Sequence, residues 1–288
     1  MNNKPLFSHR SKEPESGVLY IVGTPIGNLN DISERALNIL KNVSLIGCED
    51  TRQTNKIMQK YKIKNTLFSF NKHNSLKKIS YIINNLREGN SVALVSDAGM
   101  PSICDPGEDL VRIAKKNKVE TICIPGPSAP LTALISSGFP ASKFIFEGFL
   151  PKKEKERKKI LYEISKNEKT TIVFESPHRL KKLLNELKEY CGADRELIVC
   201  RELTKKFEEQ TNNSIDKVID FFKDREIFGE ITIVIKGIDK NNTVEINESD
   251  IKKELKELIN AGLSLSAASK YLAKKKNLTK KTIYNLYL

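Results

Sequence analysis

Several familiar signatures are missing from this chain, and each absence removes a class of function. Gly23 and Gly27 do not complete a GxGxxG turn and no GxxxxGK[ST] loop occurs, which leaves dinucleotide-binding and P-loop sites without support. No Gly-x-Ser-x-Gly elbow is present either. The three histidines, His9, His73 and His178, are dispersed, and the five cysteines, Cys48, Cys104, Cys123, Cys191 and Cys200, are odd in number with no CxxC pair. Neither a metal site nor a disulfide framework is expected, and a reducing cytoplasm fits best. No apolar run approaches the roughly 20 residues of a membrane-spanning helix, and the N-terminus lacks a signal-peptide core, so no membrane insertion is expected. Acid is also in short supply: 36 Asp and Glu face 49 Lys and Arg, a net charge of +13. That balance favours an anionic partner such as RNA, a membrane surface or a polycarboxylate. Lys, Asn and Ile are used freely throughout, so where the charge clusters carries more weight than its sum.

What is present is organised around SVALVSDAGMPSICDPG, residues 91–107. A short apolar strand there runs into a loop made almost wholly of special-geometry residues: Asp97, Ala98, Gly99, Pro101, Asp105, Pro106 and Gly107. Glycine admits close backbone approach, proline fixes turns, and the two aspartates can accept hydrogen bonds from hydroxyl or amino groups. In open α/β sheets, loops at the carboxyl ends of strands hold small ligands.

With 288 residues, 39% of them hydrophobic, the chain is long enough for two domains or one domain with an appendage. Residues 1–16 are polar and expected to be disordered. From residue 17 to 136, strands at 18–22, 44–48, 66–70, 91–96 and 119–124 alternate with helices, predicting a mainly parallel sheet covered on both faces. Four turns, after Val22, Cys48, Ser96 and Ile124, carry Gly/Pro or acidic chemistry, and parallel strands bring them to one edge. Ser128 is placed to cap the helix that follows the fourth. A second unit has strands at 144–147, 171–174, 196–200 and 230–235 with helices between. Residues 238–249 read as a linker. Three short helices follow, with Leu263, Leu265, Ala268, Leu272, Ile283 and Leu286 as their small core. The expected divisions are 17–125, 126–237 and a basic module at 245–288.

Seven motifs occur in an order shared with one family: VGTPIGNL (22–29), CEDTR (48–52), SDAGMPSICDPG (96–107), IPGPSA (124–129), EGFLP (147–151), FESPHR (174–179) and GEITIVI (229–235). They resemble the bacterial 16S rRNA 2′-O-ribose methyltransferases of the tetrapyrrole-methylase superfamily. The resemblance covers residues 17–236, and the basic helical tail is similar to that family's C-terminal module. It implies a two-domain α/β fold with a small all-α, helix-turn-helix-like module. It also implies S-adenosylmethionine (SAM) as cofactor, homodimers, and methylation of a cytidine ribose in the decoding region of 16S rRNA within the small ribosomal subunit. Carried over motif by motif, the cofactor contacts fall on Pro25, Ile26, Asp97, Gly99, Ser102, Ser128, Ala129, Ser176 and Ile231.

The methyl acceptor is a weak acid, so a general base or a cation stabilising an alkoxide would assist transfer. Glu49, Asp50, Glu147 and Glu175 are candidate bases and Arg52, Lys152, His178 and Arg179 candidate cations. Asp50 with Arg52 is the preferred pair and Glu175 the next choice. Substrate contact is expected of Asn74, Lys152, Lys153, His178, Arg179 and the tail lysines Lys274, Lys275 and Lys276. Each also has a plain alternative as a salt bridge, a cap, a loop hydrogen bond or a solvated helix face. Two other functions compete: a methylase of a tetrapyrrole or other small molecule, and a non-catalytic RNA-binding protein.

Overall fold

The first strand, β1 (Leu19–Val22), is buried along its whole length, as befits an interior strand of a parallel sheet. A Gly/Pro turn leads to α1 (Glu34–Asn42), which Ser33 caps by accepting the Ala36 N–H at 3.1 Å. The alternation continues through β2 (Leu45–Cys48), α2 (Thr51–Lys60), β3 (Leu67–Ser69), α3 (Ser75–Arg87), β4 (Val92–Val95), α4 (Glu108–Lys116) and β5 (Thr121–Ile124). These strands form one sheet in the order β3-β2-β4-β1-β5, with every neighbouring pair parallel. Side chains of β1 alternate between two layers. Tyr20 and Val22 join Ile39, Leu40 and Met58 on one face, while Leu19 and Ile21 join Ile82, Leu86 and Leu110 on the other.

Helix α5 (Ala129–Ser137) leads into the second half: β6 (Phe144–Phe149), α6 (Glu154–Lys166), β7 (Thr170–Glu175), α7 (Pro177–Cys191), β8 (Glu196–Arg201), β9 (Glu209–Ser214), α8 (Ile215–Phe222) and β10 (Ile231–Ile235). Its sheet runs β6-β7-β10-β8-β9; β6 and β7 are parallel and the remaining pairs antiparallel. Strand β9, EQTNNS, has no counterpart in the sequence-based expectation. It is a polar edge strand held by its ladder to β8, so neither apolar alternation nor β-branched content marks it. Helix α5 packs against β10, β7 and β8. A shared cluster of Ile26, Ala133, Leu134, Ile172, Ile198 and Val234 joins the β1 turn, α5 and the second sheet.

This computed structural model describes residues 13–239, 248–276 and 280–287, and the chain divides into two compact units, Met1–Gly237 and Ile238–Leu288. Of the segment expected to be disordered, residues 1–12 lie outside the described ones. Glu13, by contrast, pairs with Arg35 at 2.7 Å and Ser16 donates to the Gly89 carbonyl. The second unit holds α9 (Glu248–Asn260), α10 (Leu265–Lys276) and α11 (Lys280–Tyr287). Ser264 caps α10 by accepting the Ala267 N–H at 3.2 Å. The core of this unit is Ile251, Leu255, Ala268, Leu272 and Ile283; Leu263, expected inside, is 36% exposed. No helix among the described residues is long and apolar enough to cross a membrane.

Candidate functional site

Parallel pairing brings the carboxyl ends of β1, β2, β4 and β5 to one edge. There the turn leaving β1 and the loop leaving β4 bond to each other: the Thr24 N–H donates to the Gly99 carbonyl at 2.9 Å and the Gly99 N–H to the Thr24 carbonyl at 3.1 Å. The buried Thr24 hydroxyl adds a bond to the Ser96 carbonyl at 3.2 Å. Gly99 adopts φ +78°, the left-handed region that glycine enters without a Cβ penalty. A Cβ there would meet nothing nearer than Ile26 at 3.4 Å, so torsion rather than crowding requires glycine. Beside this bridge the turns leaving β1 and β5 touch, with the Gly23 and Gly126 backbones packed face to face.

These turns line one side of a cavity of about 350 Å³, within the size range of small-ligand sites. Ile26, Gly99, Ile103 and Asp105 contribute from the first half, and Ser128 and Ala129 from the start of α5. The opposite wall is Phe149, Phe174 to Pro177, and Gly229 to Thr232. Phe149 and Phe174 pack with ring centroids 5.4 Å apart and planes tilted by 54°, giving this wall an aromatic, apolar face. Ser128 and Ser176 occupy the N-cap positions of α5 and α7, yet neither hydroxyl closes its cap. Both serines line the cavity. The cap expected of Ser128 is therefore not made.

Ser102 and Cys104 adopt left-handed φ of +73° and +66° although neither is glycine. Strain of this kind persists only where the surroundings impose it. The Ser102 Oγ is buried without a hydrogen-bond partner among the described residues, an orphan that a polar ligand or water would satisfy.

The expected cofactor residues Ile26, Gly99, Ser128, Ala129, Ser176 and Ile231 line this one cavity, as does Glu175. Pro25, Asp97 and Ser102 belong to the same loops but do not line it. The fit to SAM is good in kind: apolar and aromatic surface for the adenine, and serine hydroxyls and backbone groups for the ribose and the amino-acid part.

Electrostatics separates the candidate acids. Asp50 caps α2, accepting the Arg52 N–H at 2.8 Å, and its carboxylate pairs with the Arg52 guanidinium at 2.6 Å. Hydrogen bonding from Arg52 holds the Asp50 carboxyl below its usual range. The Asp50 N–H donates to Asp97 Oδ1 at 2.9 Å, tying the ends of β2 and β4 together. Burial pushes the Glu49 carboxyl up, with Asp105 and Asp97 adding to the rise. Burial likewise raises Asp105, opposed by the Lys72 ammonium. Glu175 is wholly buried; its oxygens accept from the Ser176 N–H at 2.8 Å and from Arg179 at 2.5 Å.

The residues expected at the substrate are more scattered. Asn74 staples its own loop, accepting the Asn71 N–H at 2.9 Å and donating to the Ser69 carbonyl. Lys152, Lys153 and His178 are exposed, and Arg179 is committed to Glu175. Lys274, Lys275 and Lys276 lie on α10, with side chains outside those described. No turn or charge chemistry marks Phe149 and Phe174 in the sequence, although each sits inside a quoted motif and Phe174 adjoins Glu175 of the cavity wall.

The family model for tetrapyrrole (corrin/porphyrin) methylases matches residues 18–219. The chain is 39% identical to a ribosomal RNA small subunit methyltransferase I of Synechocystis sp. over 94% of its own length and 98% of the relative's. It is 40% identical to the Bacillus subtilis protein of that name, over 95% and 94% of the two chains. A third relative of that name, from Thermotoga maritima, is 48% identical over 221 residues, 77% of this chain and 99% of its own. Among solved structures, a cobalt precorrin-4 methyltransferase of cobalamin biosynthesis superposes with TM-score 0.59 at 18% identity, over 76% and 95% of the two chains. A uroporphyrin-III C-methyltransferase from Thermus thermophilus gives 0.54 at 16%, over 76% and 94%. Family model, relatives and fold agree: this chain is a SAM-dependent methyltransferase of the tetrapyrrole methylase family, grouped with the ribosomal RNA small subunit methyltransferase I proteins.

Proposed function

We propose that this enzyme methylates the ribose 2′-hydroxyl of a cytidine in the decoding region of 16S rRNA, acting on the small ribosomal subunit in the cytoplasm. The observation that carries this reading is the match along 94 to 95% of the chain to relatives named for small-subunit rRNA. The tetrapyrrole enzymes share only the fold, at 16 to 18% identity.

SAM supplies an electrophilic methyl group on a sulfonium. The protein's main task is to hold cofactor and ribose in line, and positioning of this kind accounts for a large part of the barrier reduction. In this reading Ile26, Gly99, Ser128, Ala129, Ser176 and Ile231 hold the cofactor, with Pro25, Asp97 and Ser102 shaping the loops behind them. Arg52, 87% exposed at the strand-end edge, meets the anionic substrate, and Asp50 orients it. A carboxylate already bound to a guanidinium takes a proton poorly, so the proton of the methyl acceptor is better taken by Asp105, which lines the cavity with a raised affinity for protons. Asn74 supports the neighbouring loop. Lys152, Lys153, His178 and the second unit's lysines, including Lys274, Lys275 and Lys276, attract RNA phosphates. Leu131 and Ile135, one turn apart on α5, are 46% and 77% exposed and would suit the contact between two copies in a homodimer.

Incubation with labelled SAM and either small ribosomal subunits or a tetrapyrrole precursor tests the substrate class. Label is expected in 16S rRNA; label in the tetrapyrrole alone would move the enzyme to the second class, and label in neither would leave an RNA-binding role.

A further inference from the structure

Residues 152–159, KKEKERKK, read from sequence as a solvated, strongly basic helix start, and most of them are exposed. Arg157 is the exception at 6% exposure, and it shares the inward stripe of α6 with Leu161, Ile164 and Ser165. A leucine would fill such a position without moving a charge out of water. Buried ion pairs seldom stabilise a fold more than apolar packing does, so the arginine calls for another explanation.

Its partners supply one. The Arg157 guanidinium donates through Nε to Glu186 Oε2 on α7 at 2.8 Å, and Nη2 lies 2.6 Å from the same oxygen. Nη2 also reaches Glu175 Oε2 at 3.5 Å. The second oxygen of Glu175 takes the Ser176 N–H and the Arg179 guanidinium. Two arginines, with Lys182 3.8 Å from Glu186 at the exposed rim, thus face two glutamates, and Glu175, with a side chain 0% exposed, is the member held from all sides. Glu175 is the last residue of β7, opposite Ile231 on β10. Glu175, Ser176, Pro177 and Ile231 all belong to the cavity wall.

We propose that Arg157 is a positioning residue for the cofactor. Reaching inward from α6, it fixes the Glu175 carboxylate, and through it the direction in which the chain leaves β7, so that SAM meets a preformed Ser176 wall. The role needs a planar fork serving carboxylates on two elements, which a lysine ammonium provides only in part. Glu175 is then an anchor rather than a base, because its oxygens are occupied. This inference rests on the cavity being the SAM site, and the experiment below separates failure of the one from failure of the other.

SAM binding by calorimetry and steady-state methylation are measured for wild type, Arg157→Met, Arg157→Lys, Glu186→Gln and, as the cavity control, Gly99→Val. Arg157→Met should raise the SAM Kd and KM about tenfold, with kcat at saturating SAM close to wild type and partial rescue by Arg157→Lys. Glu186→Gln, which removes the outer anchor at a partly exposed site, should raise Kd by a smaller factor even if Arg157→Met does not fold. A purely structural role would lower the melting temperature and leave Kd unchanged in the folded protein. Wild-type Kd in either folded variant, while Gly99→Val binds weakly, overturns the role of Arg157. Wild-type Kd in Gly99→Val overturns the cavity itself.

Discussion

The backbones of Gly23 and Gly126 approach so closely that a Cβ on Gly23 would lie 2.7 Å from the Gly126 Cα, and one on Gly126 would lie 2.8 Å from the Gly23 backbone. The contact joins the turns leaving β1 and β5, neighbouring strands at one end of the parallel sheet. Alanine at Gly126 must therefore displace backbone rather than a side chain. Gly126→Ala is expected to destabilise the fold by roughly 1 to 3 kcal/mol, the usual cost of overpacking, and to shift the start of α5 where Ser128 stands. Calorimetric unfolding together with SAM binding checks both effects.

Asp97 and Gly99 test the central loop. Losing the carboxylate that accepts the Asp50 N–H should cost about 1.5 to 3 kcal/mol, and valine at φ +78° forces a β-branched residue into the left-handed region. Asp97→Ala and Gly99→Val should each weaken SAM binding strongly while retaining the native circular dichroism spectrum. Titration of the folded variants with SAM decides.

A pH experiment addresses the acids at the strand ends. Burial raises the Glu49 and Asp105 carboxyls, so the folded state binds these protons more tightly than the unfolded chain. Their stabilising contribution is complete below the ordinary carboxylate range and is lost as pH rises through the raised folded values. Asp105→Asn should accordingly melt higher than wild type at neutral pH, with the advantage shrinking towards about pH 4. An advantage that grows on acidification would contradict the sign.

Much of the site was legible because it is written in turn chemistry. Gly23, Thr24, Asp97, Gly99 and Ser128 sit at strand ends whose parallel pairing follows from strand-helix alternation, so their convergence could be read before any coordinates. Other features depend on tertiary partners that no local pattern encodes. Strand β9 is polar and exists because β8 offers it a ladder. Arg157 stands among seven charged neighbours in residues 152–159 and is distinguished only by Glu175 and Glu186. Asp50 and Arg52 read as a charged cluster free for chemistry, whereas Asp50 also serves as the α2 cap.

The C-terminal helices provide a separate test. The Thermotoga relative is covered to 99% of its length by an alignment of 221 residues, so it has no counterpart to much of the remainder of this chain. Residues 1–237 already hold both sheets and the cavity. A protein ending at Gly237 should fold and bind SAM with wild-type affinity. It should bind small subunits less tightly, with a shallower slope of log affinity against log salt, because fewer phosphates are neutralised. An unchanged slope would make the module a packing element.

The position of the transferred methyl group decides whether the enzyme is a ribose methyltransferase of 16S rRNA. Small subunits lacking the modification are incubated with the enzyme and SAM, and the 16S rRNA is digested to nucleosides and analysed by mass spectrometry. A single new product is expected, 2′-O-methylcytidine, mapping to the decoding region and absent with Gly99→Val; a methyl group on a base, or on a ribose elsewhere, would contradict the proposed activity.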